Sequence, residues 1–225
     1  MGKLHAVFLK KTKNVKKQPV SISVMRKATW HDKELVVDIF TEVFAANTGT
    51  TWVLRESLNN RKGLRRLARY AFTRGMLKDG VFVSDNEKGI AICYRQNAGA
   101  FSLKGLWSEV VFALTAANIW RLPEIVGRES YRKKQRPASG DYLYYWFLGV
   151  LPHGQSAALE LGIEMLELAD KMQLPVYVET AVERIKPVYE RYGFDTYHYW
   201  ENKKKGIQFW FLKREPHTPY SPRRG

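Results

Sequence analysis

The feature that most constrains the fold is an aromatic and aliphatic run, YLYYWFLGV, over Tyr142–Val150. Such a run is apolar on both faces of a strand, which is typical of the middle of a sheet rather than its edge. From Ala157 the apolar residues recur at helical spacing, and Pro175 then opens a second apolar segment, Val176–Thr180. A strand, a helix and a strand in this order predict a right-handed βαβ unit with parallel strands.

The segment before this unit predicts one strand and two helical regions. Polar and apolar residues alternate over Ser21–Ala28, as in a half-buried strand. Thr29 and Asp32 have the spacing of a loose capping box at the start of a first helix. Apolar residues over Leu54–Ala71 predict a second helical region that breaks near Gly63.

The next elements are a hairpin and an insert. Val81–Ser84 and Ile90–Tyr94 predict two strands joined by a polar turn, in which Gly89 is expected to supply a positive φ. Apolar residues are nearly continuous over Leu103–Val126, so we expect a mostly buried helix or a helical insert there. Arg128–Gly140 is expected to be a polar loop.

The sequence of the last part of the domain predicts a short helix followed by a final antiparallel pair of strands. The helix is expected over Ile185–Tyr192, with Gly193 at its C-terminal cap. The strands are expected over Asp195–Trp200 and Ile207–Leu212. We therefore expect one domain over residues 21–213, between a basic, flexible arm at 1–20 and a proline-rich polar tail at 214–225.

Charge and cysteine content limit the classes of function. The net charge is +15, and residues 1–27 hold eight Lys or Arg and no Asp or Glu, so nucleic acid or another polyanion is a candidate partner. An ordinary solvated basic surface is the alternative. Cys93 is the single cysteine, which excludes an internal disulfide and favours a cytoplasmic protein. The only apolar stretch near the start, Ala6–Leu9, is too short for export or a membrane span, so no membrane partner is predicted.

The five histidines do not support metal or triad chemistry. They are scattered, with no pair at i,i+4 and no nucleophile elbow around a serine. No metal site is predicted.

The turn between the predicted strand and helix of the βαβ unit, PHGQSAA, has small residues at the start of the helix. Small side chains let a ligand approach the backbone, and a helix N-terminus presents unpaired N–H groups that hold a pyrophosphate well. The alternative is a tight strand-to-helix turn with Ser156 as the N-cap.

The segment Tyr142–Trp200 as a whole resembles the acetyl-CoA core of the GNAT N-acetyltransferase superfamily. Three motifs carry the resemblance: LGVLP at Leu148–Pro152, LPVYVET at Leu174–Thr180 and VYERYGF at Val188–Phe194, the most specific of them. It implies a mixed, largely antiparallel twisted sheet flanked by helices, with a strand that splays from its neighbour to admit acetyl-CoA.

The pyrophosphate loop departs from the family pattern. Counting back from Glu179 places His153 at the family's Gln/Arg position, and Ser156 and Ala158 at its two glycines. A register counted forward from Val150 instead places Gln155 first, with Ala158 and Glu160 at the glycines. We prefer the first register, because a carboxylate would repel a pyrophosphate. The cofactor-binding residues implied are Leu148, Gly149, Val150, His153, Gly154, Gln155, Ser156, Ala157 and Ala158.

The resemblance also implies direct acetyl transfer from acetyl-CoA to an amine of a small molecule or peptide. Tyr189 matches the family's proton donor to the leaving thiolate, a role that is favoured if local donors lower its pKa, and a core aromatic is the alternative. Glu179 is a candidate base or water-orienting carboxylate, with a surface or capping role as an equal alternative. A noncatalytic module that binds nucleic acid or another polyanion is the rival function, since Ile185 and the lost glycines weaken the cofactor pattern.

Overall fold

One mixed sheet organises the chain in a computed structural model, which describes residues 25–47, 50, 54, 60–96, 102–115, 120, 122–138, 140–152, 154–203 and 206–217. Its strands are β1 (Arg26–Lys27), β2 (Val81–Val83), β3 (Gly89–Arg95), β4 (Leu143–Val150), β5 (Val176–Thr180), β6 (Asp195–Asn202) and β7 (Ile207–Arg214). The helices are α1 (Lys33–Val43), α2 (Asn60–Met76), α3 (Leu103–Thr115), α4 (Leu122–Lys134), α5 (Gln155–Met172) and α6 (Lys186–Arg191).

The strand order is β1-β2-β3-β4-β5-β7-β6, which puts β4 in the middle of seven strands. β4 and β5 are parallel and every other neighbouring pair is antiparallel. The predicted central strand, the βαβ unit and the mixed, largely antiparallel sheet are therefore confirmed.

Helices cover both faces of the sheet. α1 and α2 share one apolar core with β2, β3 and β4. α5 lies on the opposite face, where Leu161, Met165 and Ala169 pack in a second core with Val176 and Val178. Because side chains alternate along a strand, β4 supplies apolar residues to both cores, which is why its sequence is apolar throughout.

The start of α1 follows its predicted signal. Asp32 accepts hydrogen bonds from the Thr29 backbone N–H at 2.7 Å and from the Thr29 hydroxyl at 2.9 Å. Arg26 of β1 also donates to both oxygens of Asp32, at 2.7 and 2.9 Å. The Arg26 guanidinium holds the pKa of the Asp32 carboxyl well below its usual range. This contact ties the first described strand to the first helix.

Two expectations about glycines are wrong. α2 runs unbroken through Gly63, where an added Cβ would lie 3.1 Å from the buried Leu54 side chain, so the glycine makes room for packing. In the hairpin, Glu87 takes the positive φ of 54° and Gly89 does not. A Cβ at Gly89 would lie 2.6 Å from Leu161, so this glycine lets α5 approach the sheet.

The region after β3 differs most from the sequence prediction. It forms two helices, α3 and α4, so residues 128–134 are helical rather than a polar loop. The apolar side chains of the insert are also not buried: Trp107 is 69% exposed and Trp120 is 90% exposed. Apolar content alone cannot distinguish a buried helix from one with an exposed apolar side.

Among the described residues, every helix falls short of the length and apolar content that a membrane span requires.

Deleting the basic arm at residues 1–20 should leave the melting temperature nearly unchanged. The described contacts of the N-terminal segment begin at Met25, whose backbone N–H donates to Glu164 at 2.6 Å, and this contact survives the deletion. Thermal unfolding of the shortened and full-length proteins tests this.

A longer deletion, through Lys27, is the matched control. It removes β1 and the Arg26–Asp32 ion pair, so its melting temperature should fall clearly. A large fall on removing residues 1–20 alone would place a structural element in the arm and contradict the domain boundary.

Candidate active site

β4 and β5 diverge in the middle of the sheet. Their parallel pairing covers Leu143–Tyr145 of β4 and ends where Tyr145 faces Val178. The remaining residues of β4 pair with β3 as far as Val150, and the end of β5 pairs with β7. The edges of β4 and β5 that face each other past Tyr145 are thus open, and we call this opening the fork. Open strand edges present N–H and C=O groups that an extended ligand can pair with.

A β-bulge in β4 lies at the base of the fork. Ile92 faces Phe147 and the next residue of β3, Cys93, faces Tyr145, so Trp146 is an extra residue on β4. A bulge bends its strand and increases the local twist. The bulged residue lies one position past the last pair between β4 and β5, which is where the two strands separate.

The start of α5 lies at the open end of β4. Leu151 donates its N–H to Lys88 O and Gly154 donates to Leu151 O, both at 2.8 Å, which makes a tight turn after the strand. Gly154 is the N-cap, and an added Cβ there would lie 2.7 Å from Val150, so a larger residue would not fit this turn. Ser156 as the N-cap is therefore wrong.

The free amides at this helix start are fewer than the sequence implied. The N–H groups of Gly154 and Ala158 donate within the turn, to Leu151 O at 2.8 Å and to Gly154 O at 3.3 Å. The first residues of a helix have no partner for their N–H groups within it, so the amides of residues 155–157 remain for a ligand. His153 lies outside the described residues, as do the side chains of Gln155 and Ser156.

The three strand-end residues implied by the resemblance, Leu148, Gly149 and Val150, all lie on the open part of β4. Leu148 is 36% exposed. Gly149 is buried, and an added Cβ would lie 2.8 Å from Val43 at the end of α1. The glycine thus lets α1 pack against the fork.

Tyr189 is half-buried on the α5 side of the sheet. Its ring packs edge-on against Phe194 at 5.2 Å. The end of α6 fixes it, because Phe194 donates to Tyr189 O at 3.2 Å and Gly193, at a φ of +82°, donates to Glu190 O at 3.0 Å. This is a Schellman cap, so the predicted glycine cap is confirmed. Burial raises the pKa of Tyr189 to about 12, which is opposite in direction to the lowering by local donors that would favour a proton donor.

Glu179 lies in a buried polar cluster on the face of the sheet opposite α5. Its side chain is 2% exposed, so a surface role does not fit. Oε2 accepts from Arg132 Nε at 3.0 Å and from the Tyr144 hydroxyl at 2.7 Å, and Arg132 Nη2 donates to the same Tyr144 oxygen at 2.6 Å. Arg136 Nε lies 3.7 Å from Glu179 Oε1. The carboxylate thus balances buried arginines immediately past the last β4–β5 pair.

Sequence analysis missed the arginines of this cluster. Arg128, Arg132 and Arg136 stand at i, i+4 and i+8, a spacing that places them on one face of a helix. That periodic signal was available, but the expectation of a loop from residue 128 concealed it.

Comparisons with known proteins find structures of similar fold but no matching sequence family. No family model and no curated protein matches the chain. A structure described as histone acetyltransferase HPA2 and related acetyltransferase from Corynebacterium glutamicum has a TM-score of 0.64 at 18% identity, over 88% of this chain and 99% of that chain. Arylalkylamine N-acetyltransferase 2 from Aedes aegypti has a TM-score of 0.59 at 10% identity, over 86% and 99% of the two chains.

A third similar structure is the C-terminal condensation domain of Ebony in complex with beta-alanyl-dopamine, with a TM-score of 0.62 at 12% identity over 86% and 99% of the chains. At sequence identities of 18%, 12% and 10%, the similarity to these three structures is a similarity of backbone fold. The seven-stranded sheet, the fork and the helix that starts beside it agree with that likeness, so the chain has the fold of the GNAT acetyltransferases.

Proposed function

We propose that this protein transfers an acetyl group from acetyl-CoA to an amine. The observation that carries the proposal is the fork between β4 and β5, with the start of α5 at its open end. An open strand edge suits the amide-bearing arm of the cofactor, and a helix start suits its pyrophosphate. One continuous surface thus offers both kinds of contact.

In this proposal the cofactor runs along the open edge of β4. The backbone of Leu148 and Val150 pairs with the pantetheine arm and helps hold the thioester oxygen. The backbone N–H groups of residues 155–157 donate hydrogen bonds to the pyrophosphate. His153, Gly154 and Ala158 are their neighbours on the loop. The tight turn at Gly154 supports this placement, because it brings the helix start against the end of β4.

The transfer step forms one bond and breaks another. The neutral amine attacks the thioester carbonyl, the C–N bond forms, and the C–S bond breaks as the thiolate leaves. Tyr189 gives its hydroxyl proton to the thiolate, and the amine nitrogen loses a proton to solvent or to a base. A tyrosine with a pKa of about 12 is protonated at neutral pH, which is the form that a proton donor needs.

Glu179 is the second catalytic candidate, in a narrower role than a base that contacts the amine. Its carboxylate is buried and already accepts from Arg132 and Tyr144. We propose that it orients polar groups at the fork, since a base must reach the proton it removes.

Calorimetric titration with acetyl-CoA tests the proposed function directly, because it requires no knowledge of the acceptor. Binding followed by turnover with an amine would support an acetyltransferase. Binding without turnover on any amine or peptide would favour the noncatalytic rival, and absence of binding would remove the proposal.

Replacing Ser156 by Asp should weaken acetyl-CoA binding. The added carboxylate would stand at the second residue of α5, close to the proposed pyrophosphate, where like charges repel. It should not unfold the protein, because an acidic residue in the first turn of a helix is favourable.

Ser156→Asn is the matched control, since it has the same shape without the charge. We expect the Asp variant to bind acetyl-CoA at least about 10-fold more weakly than the Asn variant. Equal dissociation constants for the two variants would place the pyrophosphate elsewhere.

A further inference from the structure

The helix α3 carries its apolar residues on the outside of the molecule. Six of them recur at i, i+3, i+4, i+7, i+8 and i+11, a spacing that places them on one face of a helix. These residues, which we call the α3 stripe, are Leu103, Leu106, Trp107, Val110, Val111 and Leu114. Each is between 39 and 75% exposed. In a globular domain such a stripe normally packs against the core, so its exposure on α3 is unusual.

The other face of α3 packs on α2. Gly105, Glu109 and Phe112 stand at i, i+4 and i+7, on the side opposite the α3 stripe. Phe112 stacks on Tyr70 of α2 with the ring centres 4.8 Å apart, and Glu109 pairs with Arg74 of the same helix. α3 is therefore attached to the domain through contacts that do not use the stripe.

The α3 stripe contains no charged residue. α3 has two charged residues of opposite sign, Lys104 and Glu109, and both make contacts away from the stripe. Lys104 Nζ lies over the Trp30 ring at 3.4 Å, and Glu109 pairs with Arg74. A helix that lies on an anionic membrane typically has a polar face rich in Lys and Arg. The charges of α3 do not fit that pattern, so they favour a protein surface over a lipid surface.

The α3 stripe is self-complementary. Its six positions are symmetric about the midpoint between residues 108 and 109. An antiparallel second copy of α3 therefore brings every stripe residue opposite another stripe residue. The facing pairs are Leu103 with Leu114, Leu106 with Val111, and Trp107 with Val110. A two-fold interface between identical chains requires a surface that matches itself in this way.

The exposed area of the α3 stripe suits a reversible dimer. Full burial of a leucine or valine removes on the order of 60–120 Å² of apolar surface from water, and a tryptophan about 200 Å². Scaled by the exposed fractions, the stripe offers about 300–450 Å² per copy. This is about half of the ~800 Å² that each partner buries in a stable interface. Interfaces near this lower limit are typically weak and reversible.

We propose that the α3 stripe is the interface between two copies of this chain, packed with α3 antiparallel to α3 about a two-fold axis. Trp107 lies near the centre of the interface, opposite Val110 of the second copy. The net charge of +15 makes two copies repel each other, so apolar burial holds the dimer against that repulsion. The dimer does not depend on acetyl transfer.

Sedimentation velocity of the full chain tests the dimer. Between about 1 and 100 µM protein we expect a change from monomer to dimer, the range for a weak interface. Salt screens the repulsion between the two copies, so the dissociation constant should fall at least about threefold between ~0.1 and ~0.5 M salt. Binding to an anionic membrane or to nucleic acid would weaken with salt instead.

Two charged substitutions test the position of the interface. Trp107→Lys and Val110→Glu should each weaken the dimer at least about 10-fold, because each places a charge against an apolar residue of the second copy. Both positions are exposed in the single chain, so the variants should fold, which thermal unfolding checks. Ile163→Lys is the matched control: Ile163 is an exposed residue of α5, on the other side of the sheet, and this variant should dimerise like the parent.

Mixing the two variants tests the antiparallel pairing. In a mixed dimer, the lysine of Trp107→Lys faces the glutamate of Val110→Glu, while the second symmetric contact keeps Trp107 opposite Val110. Opposite charges attract across an interface. An equimolar mixture should therefore form mixed dimers at least about 10-fold more tightly than either variant alone.

Several results would overturn the dimer. They are a monomer at every concentration up to about 100 µM, association that weakens with salt, unchanged association in both stripe variants, or no recovery on mixing. Sedimentation with vesicles of phosphatidylglycerol is measured in parallel. A monomer that sediments with these vesicles, and no longer does so as Val110→Glu, would assign the α3 stripe to a lipid surface and overturn the proposal.

Discussion

Tyr189→Phe should lower the maximal rate of acetyl transfer by about 10²- to 10⁴-fold, the usual contribution of a general acid, while the acetyl-CoA dissociation constant changes little. The substitution removes one hydroxyl and leaves the ring packed against Phe194. The proton donor to the leaving thiolate is lost, but the contacts that hold the cofactor remain. Initial rates and calorimetry measured on the same two proteins check both halves of this result.

The raised pKa of Tyr189 adds a pH signature. Burial favours the neutral phenol, so the hydroxyl keeps its proton until the pH approaches about 12. The activity should therefore show no alkaline decline from Tyr189 between about pH 7 and pH 9, where a tyrosine of ordinary pKa near 10 would begin to ionise. A decline in that interval that disappears in Tyr189→Phe would contradict the assigned pKa.

Tyr192→Phe is the matched control for this experiment. Tyr192 is another half-buried tyrosine beside α6 and packs against the same core. Its hydroxyl has no role in the proposal, so the variant should keep nearly the parent rate. Equal rates for the parent protein and Tyr189→Phe would remove Tyr189 from the mechanism.

Glu179→Ala should lower the free energy of unfolding by about 3–5 kcal/mol, the typical cost of removing one partner from a buried ion pair. The substitution leaves Arg132 and Arg136 on the sheet without the carboxylate that both approach. Denaturant unfolding, followed by fluorescence, measures the loss. A loss below about 1 kcal/mol would mean that solvent or another carboxylate balances the arginines.

Two further variants separate stability from chemistry. Glu129→Ala removes a carboxylate that binds the same Arg132 but is 44% exposed, so it should cost less than about 1 kcal/mol. Glu179→Gln keeps the shape and one acceptor for Tyr144, so it should be more stable than the Ala variant. If Glu179 takes part in the reaction, the folded Gln variant will still lose activity, whereas a purely structural carboxylate predicts activity that follows stability.

Local patterns were sufficient to predict most of the elements. Tyr142–Val150 is apolar on both faces, and that pattern predicts a central strand whichever residues cover it. The Thr29 capping box and the Gly193 cap are also local signals, because the groups that make them lie within six residues of each other. Such signals are legible in a sequence since they depend on backbone geometry and short-range hydrogen bonds.

Long-range contacts determined the rest. Gly63 makes room for Leu54, and Gly89 makes room for Leu161. Neither contact belongs to the local sequence pattern around the glycine, so that pattern suggested the wrong role for both. The exposure of Trp107 depends on which surface of α3 faces α2, and the apolar content of the segment does not determine that surface.

The candidate site shows the same division. The sequence by itself predicted Tyr189, the open end of β4 and the start of α5, because each belongs to a contiguous motif. Only the tertiary structure brought Arg132 and Arg136 onto Glu179, which is 43 or more residues away along the chain. Side-chain burial and charge pairing arise where separate elements meet, so the environment of Glu179 was decided by the packing of α4 on the sheet.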